Sequence, residues 1–207
     1  MIEQEGVIKF NVSFKPAEPE LDHDYSDLND WRQIFKQAEI LGQDVNRYDG
    51  LGFGNLSERL SDQSFLISGT QTGMLNRLEP AHYSRVLNVD LATNSVRAQG
   101  SVKPSSESLT HAAIYQLDAD IRFVFHVHSP DIWRNREVLQ LPETAADVPY
   151  GTMEMAQAIK ALSDAGAFRQ LGVLAMAGHE DGIISFAEAA QPAGQILIDT
   201  LSLARQL

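Results

Sequence analysis

The stretch Ile121-Arg122-Phe123-Val124-Phe125-His126-Val127-His128-Ser129-Pro130 decides how this chain is read. Its β-branched and aromatic residues predict a strand over 121–128, and Pro130 ends it. Side chains along a strand alternate between faces. Phe123, Phe125 and Val127 therefore share the core side, and His126 and His128 emerge together on the other. Their Cβ atoms stand about 6–7 Å apart, a spacing from which two imidazole nitrogens reach one cation through bonds of about 2.0–2.1 Å. The pair alone more often describes two hydrogen-bonded or surface histidines. Its place at a strand end, beside a loop, moves the balance somewhat toward chemistry.

Working outward, the pattern alternates between strand and helix. Upstream, Ser105-Ser106-Glu107 opens a helix predicted through Asp118, with a serine hydroxyl available as its cap. Downstream, a helix is predicted over 151–164. Strands over 173–177 and 182–186 follow, bracketing the polar turn Gly178-His179-Glu180-Asp181, and an apolar stripe from Ala193 to Ala204 predicts a C-terminal helix. Leu28, Trp31, Ile34, Phe35, Ala38 and Leu41 recur at helical spacing and predict an amphipathic helix over 28–42, ending at Gly42. Beyond it lie a glycine-punctuated stretch over 49–57 and short strands at 65–68 and 87–91, with the small-residue loop Gly69-Thr70-Gln71-Thr72-Gly73 between them. Residues 7–14 predict an edge strand or interface segment, and Lys15 to Glu20 an extended linker. The expected organisation is an N-terminal arm over 1–24 and one domain over 25–207, a central sheet with helices packed on it.

Composition narrows the chemistry. The 207 residues hold 43% hydrophobic and 21% charged side chains, ordinary for a globular protein with a substantial core. A net charge of −12 opposes binding to nucleic acid or an anionic membrane, and no apolar run is long enough to span a bilayer. An acidic N-terminus without an apolar segment behind it predicts a cytoplasmic protein. With no cysteine, any metal must be held by His, Asp and Glu.

Glu107 and His179 are the candidates to complete a ligand set with His126 and His128. Each has a plainer explanation: a glutamate complementing a helix dipole, and a solvated turn histidine. Position and composition leave both explanations open. His111, four residues after Glu107, is expected to be structural. His23 and His82 are expected at the surface. Arg134 and Arg136 suit either an anionic substrate or an interface.

Five segments in order resemble the class II aldolase/adducin-domain family: Gly54-Asn55-Leu56-Ser57, Phe65-Leu66-Ile67-Ser68 followed by Thr72-Gly73, Pro104-Ser105-Ser106-Glu107, His126-Val127-His128 and Gly178-His179. Together they cover the chain from about residue 28 to 200, with Glu107 placed 19 residues before His126. The resemblance implies a three-layer α/β/α fold with a mainly antiparallel sheet, assembled as a homotetramer with active sites at subunit interfaces. It implies that His126, His128 and His179 hold zinc, with Mn²⁺, Co²⁺ and Fe²⁺ chemically admissible. Glu107 becomes a ligand at rest and an acid/base in turnover. Asn55, Thr72, Gly73, Ser105 and Ser106 would hold a substrate phosphate, in keeping with hydroxyls and amides at a helix start.

The implied activity is lyase cleavage of a small hydroxy-carbonyl compound through a metal-stabilised enediolate. A sugar-phosphate epimerase using the same site, and a non-catalytic adducin-like scaffold, are the alternatives. All four filled ligand positions weigh against the scaffold. Two features depart from the sugar-phosphate members. The 68–73 loop is one residue longer than their compact form, and no tyrosine follows His179. Tyr150 is the tyrosine left downstream of the histidine pair; it either packs or hydrogen-bonds in the core or donates a proton across an interface.

Overall fold

A computed structural model describes residues 6–168 and 172–207. In chain order its elements are β1 (Asn11–Pro16), α1 (Ser26–Gln37), β2 (Gly42–Gln43), β3 (Gly52–Phe53), β4 (Asn55–Arg59), β5 (Phe65–Ser68), β6 (Tyr83–Asp90) and β7 (Ser95–Gly100). There follow α2 (Ser108–Tyr115), β8 (Phe123–His128), α3 (Pro130–Arg134), α4 (Met153–Asp164), β9 (Val173–Ala175), β10 (Gly182–Ala187) and α5 (Ala190–Ala204). Eight strands form one sheet in the order β1-β7-β6-β5-β4-β8-β10-β9, while β2 and β3 pair apart from it. The sheet expected to be mainly antiparallel is mixed. Edge strand β1 lies parallel to β7, and the neighbours from β7 to β9 run antiparallel.

Strand β8 lies inside the sheet between β4 and β10, and all six of its residues are buried. Its alternation splits the core. Phe123, Phe125 and Val127 join one apolar cluster with residues of α1, α3 and α5; Val124 joins another with residues of α2 and α4. The histidine face is thus covered as fully as the phenylalanine face, a correction to the one-sided core that alternation suggested. Helices account for the second cover.

Several boundaries move for identifiable reasons. Helix α1 ends at Gln37 because Glu39 turns left-handed (φ 63°), letting the Ile40 amide bond back to the Phe35 carbonyl at 3.0 Å. Ile40 and Leu41 are still buried, which is why their spacing read as helix. Strand β1 sits two to four residues later than predicted and includes Pro16, which an edge position tolerates because no partner needs its missing amide proton. Strand β7 and helix α3 escaped the sequence reading altogether. Among the described residues no helix is long and apolar enough to cross a membrane.

Candidate metal centre

His126 and His128 project from the end of β8 with their Nε2 atoms 3.1 Å apart. The third imidazole, His179, comes from the turn joining β9 and β10, which pairs with β8 so that Gly182 faces His128 and Ile184 faces His126. The ring centroid of His179 lies 5.3 Å from that of His126 and 4.7 Å from that of His128. One ligand atom from each of the three histidines falls within 4.8 Å of the others. Far from being solvated, His179 is buried.

Glu107 also departs from its simple explanation. It is the residue before α2 rather than part of its first turn, and its side chain caps no helix amide. Its carboxylate is fully buried, with Oε1 3.5 Å from His179 Nε2. The Glu107 amide is bonded instead by the Ser105 hydroxyl, at 3.3 Å.

This donor set fits a divalent cation. Two nitrogens bound at about 2.0–2.1 Å to one tetrahedral ion stand about 3.3 Å apart, close to the Nε2 separation here. Burial first, and then the proximity of His179, holds His126 and His128 well below the usual imidazole pKa, so both are neutral and offer lone pairs. The Ile183 carbonyl lies 3.2 Å from His126 Nδ1; that bond places the ring proton on Nδ1 and leaves Nε2 as the donor atom for a metal. A carboxylate buried beside an imidazole nitrogen is likewise suited to a cation.

The five residues expected to hold the substrate come together. Asn55, Thr72, Gly73, Ser105 and Ser106 line one small polar hollow. Asn55 stands directly opposite His126 in the β4–β8 pairing, so the hollow adjoins the metal centre. A bridge between Gly69 and Pro104 brings the 69–73 loop beside Ser105. Gly54 has φ 77°, and a Cβ there would meet the His126 carbonyl at 3.1 Å, which accounts for glycine before Asn55. A larger groove of about 420 Å³, between α2 and α4, contains none of the predicted site residues.

Tyr150 packs against the centre with its ring centroid 4.4 Å from that of His179. Its hydroxyl points to the N-terminal arm, donating to the Val7 carbonyl at 3.2 Å and accepting from the Val7 amide at 3.1 Å. His111 is fully buried and shares a 2.7 Å hydrogen bond with Ser57, whose hydroxyl also meets Tyr115. His23, expected at the surface, pairs with the buried Glu58 at 2.9 Å, and His82 Nδ1 accepts the Glu79 amide at 2.9 Å. Arg136 pairs with Glu143 at 2.6 Å and stacks on Trp133, while Arg134 is exposed; the structure draws neither into the centre.

One neighbour of the centre went unread. Tyr48, at φ 49°, places its ring edge-to-face on His128, centroids 4.7 Å apart, and donates its hydroxyl to Asp181 at 2.7 Å. Arg47 donates to the same hydroxyl at 2.8 Å and to the His128 carbonyl at 3.3 Å. This clamp ties the loop before β3 to the turn that carries His179. No spacing rule announces it, because its parts are far apart in sequence and held by left-handed backbone.

Three buried imidazoles and a buried carboxylate gathered beside a mixed α/β sheet make a group that could hold a metal ion, with a polar hollow adjoining it. Residues 43–198 match the sequence profile described as "Class II Aldolase and Adducin N-terminal domain", and the chain belongs to that family. No curated protein sequence matches it significantly. Among solved structures, it resembles YgbL from Escherichia coli, described provisionally as an aldolase/epimerase/decarboxylase. That likeness has 19% identity and a TM-score of 0.62, over 87% of this chain and 86% of that one. It also resembles l-fuculose-1-phosphate aldolase from Thermus thermophilus, at 20% identity and TM-score 0.62 over 87% and 90% of the two chains. A sugar-phosphate aldolase from Thermotoga maritima gives 12% identity and TM-score 0.62 over 86% and 90%. At these identities the likeness is one of fold.

Proposed function

We propose that this protein is a divalent-metal-dependent lyase that cleaves a small hydroxy-carbonyl compound. The observation that carries the reading is the convergence of His126, His128 and His179 within 4.8 Å, with the Glu107 carboxylate beside them. The three histidines hold the cation, zinc in the first instance, and Glu107 is its fourth ligand at rest. A bound cation supplies Lewis-acid stabilisation of the negative charge that develops on the substrate's carbonyl oxygen, worth several kcal/mol.

The protein's own groups do the rest. Glu107 accepts and returns the substrate proton, its carboxylate held in place by the start of α2. Asn55, Thr72, Gly73, Ser105 and Ser106 bind the far end of the substrate, fixing its reacting carbon beside the centre. Tyr150 holds the His179 ring by packing; proton donation through its hydroxyl requires Val7 to leave first. By its family the protein is read as a homotetramer whose subunits complete one another's sites.

Two measurements test the reading. Elemental analysis should find one divalent metal per chain in the purified protein and none in His126→Ala. Glu107→Gln should keep its metal yet lose at least about a hundredfold in turnover on the substrate found by screening hydroxy-carbonyl compounds. Metal-free wild-type protein would end the proposal.

A further inference from the structure

A set of charged and polar side chains outside the metal centre grips the loop that lines the hollow. Asn29, Arg32 and Lys36 lie at i, i+3 and i+7 on α1, forming a polar stripe beside the helix's apolar one. Every one of them bonds the backbone of residues 72–78. Asn29 exchanges two hydrogen bonds with Leu78, at 2.8 and 3.0 Å. The Arg32 guanidinium donates to the carbonyls of Thr72 at 2.7 Å and Leu75 at 3.1 Å. The Lys36 ammonium donates to those of Gly73, Met74 and Leu75, at 2.8–3.1 Å.

Arg32 is only 1% exposed, and among the described residues no carboxylate pairs with it or with Lys36. Burying a guanidinium with carbonyls alone is expensive in a chain of net charge −12 that has acids to spare. Burial lowers the Arg32 pKa only to about 10, so it stays charged at neutral pH. Arg32 and Lys36 both donate to the Leu75 carbonyl, so the two cations lie close together; burial and the neighbouring Arg32 press the Lys36 pKa downward.

We infer that Arg32 and Lys36 are positioning residues for an anionic group of the substrate, a phosphate or a carboxylate, acting through the 72–75 loop. This rests on the proposed function only in taking the hollow as the substrate's. In a trans peptide the carbonyl and the next amide point in opposite directions, and the peptide bonds of the described residues are all trans. Drawing the carbonyls of 72 and 73 toward α1 turns the amides of Gly73 and Met74 away from it. The amides of Gln71, Thr72 and Gly73 make no backbone hydrogen bond among the described residues. At the same hollow the buried Asn55 carboxamide oxygen has no hydrogen-bond partner among the described residues; it would take a substrate hydroxyl, and the same side chain turned over would offer its NH2 to the anion. Outward-facing amides over two uncompensated cations form an anion cradle whose charge sits behind the loop.

The test titrates inorganic phosphate and, separately, acetate into wild type, Lys36→Met, Lys36→Arg and Arg32→Met by calorimetry. Each protein is used metal-loaded and after chelation, with folding and metal content checked. Lys36→Met should weaken the preferred anion at least fivefold in both states while Lys36→Arg stays within twofold of wild type. Tighter phosphate identifies a phosphate ester as the natural group, and tighter acetate a carboxylate. Lys36→Met matching wild type, or wild type binding neither anion, overturns the inference even if Arg32→Met fails to fold. If the protein takes up no metal yet shows this pattern, the metal-lyase reading falls and the cradle stands.

Discussion

His111 shows what burial does to an imidazole in this protein. With no exposed surface and only Ser57 to bond, its pKa falls to about 3 because charging it would place a cation in an apolar interior. His126 and His128 are driven the same way. The sign follows directly. Above about pH 6.5 these rings are neutral folded or unfolded, and cost nothing. Between pH 6.5 and 3 the unfolded chain binds protons at His111 that the folded one refuses, so stability falls with pH. The slope is roughly 1.4 kcal/mol per pH unit for each such ring. Metal-free protein should therefore show a steep drop in urea midpoint from pH 7 to 5. Constant stability over that range would mean that the folded rings accept protons. Gly73 makes a separate case at this scale: a Cβ there would come within 2.2 Å of the Gly42 carbonyl oxygen, a backbone atom that cannot step aside. Gly73→Ala should lower thermal stability and weaken anion binding together, since the loop must shift to accept it.

Among the elements, β8 is both the best read and the most consequential. Its alternation of Phe with His was visible in sequence because both faces obey period two, and the structure places the rings where that period requires. Phe125 is fully buried and meets Phe35 edge-to-face at 5.7 Å. Phe125→Ala should cost about 3–5 kcal/mol in urea unfolding, with metal per folded chain unchanged because its face is not the histidines'. If metal binding fell along with stability, the two faces of the strand would be mechanically coupled. Less was legible elsewhere, for physical reasons. Strand β7 alternates buried Val96 and Ala98 with charged and polar residues, but its only strong apolar residue is Val96, too little for a pattern. The α1 stripe of Asn29, Arg32 and Lys36 gave no signal in the sequence, since helical spacing says which residues share a side and not what covers it. Glu107 and His179 were ambiguous in the same way: their roles depend on a convergence that only tertiary contacts create.

At the scale of the whole molecule the N-terminal arm is part of the site's support. Phe10 is buried in the cluster that holds Tyr150, Leu109 and Met176, β1 runs along β7, and Arg85–Glu20 and His23–Glu58 pairs secure the segment that follows. Removing residues 1–24 should therefore cost at least about 3 kcal/mol for Phe10 alone, a loss of roughly 6–12 °C in Tm at this size. The same deletion takes away Val7, the hydrogen-bond partner of the Tyr150 hydroxyl, without touching the Tyr150 ring on His179. Two substitutions separate these contributions. Tyr150→Phe keeps the ring and should hold metal affinity within about twofold, while making residues 6–10 more open to proteolysis. Tyr150→Ala removes the ring that fixes His179 and should weaken metal binding about tenfold, as losing an outer support of a ligand does. Equal metal affinity in the Ala and Phe variants would show that the β9–β10 turn and the Tyr48–Asp181 clamp suffice to orient His179, and that the arm stabilises the fold without tuning the centre.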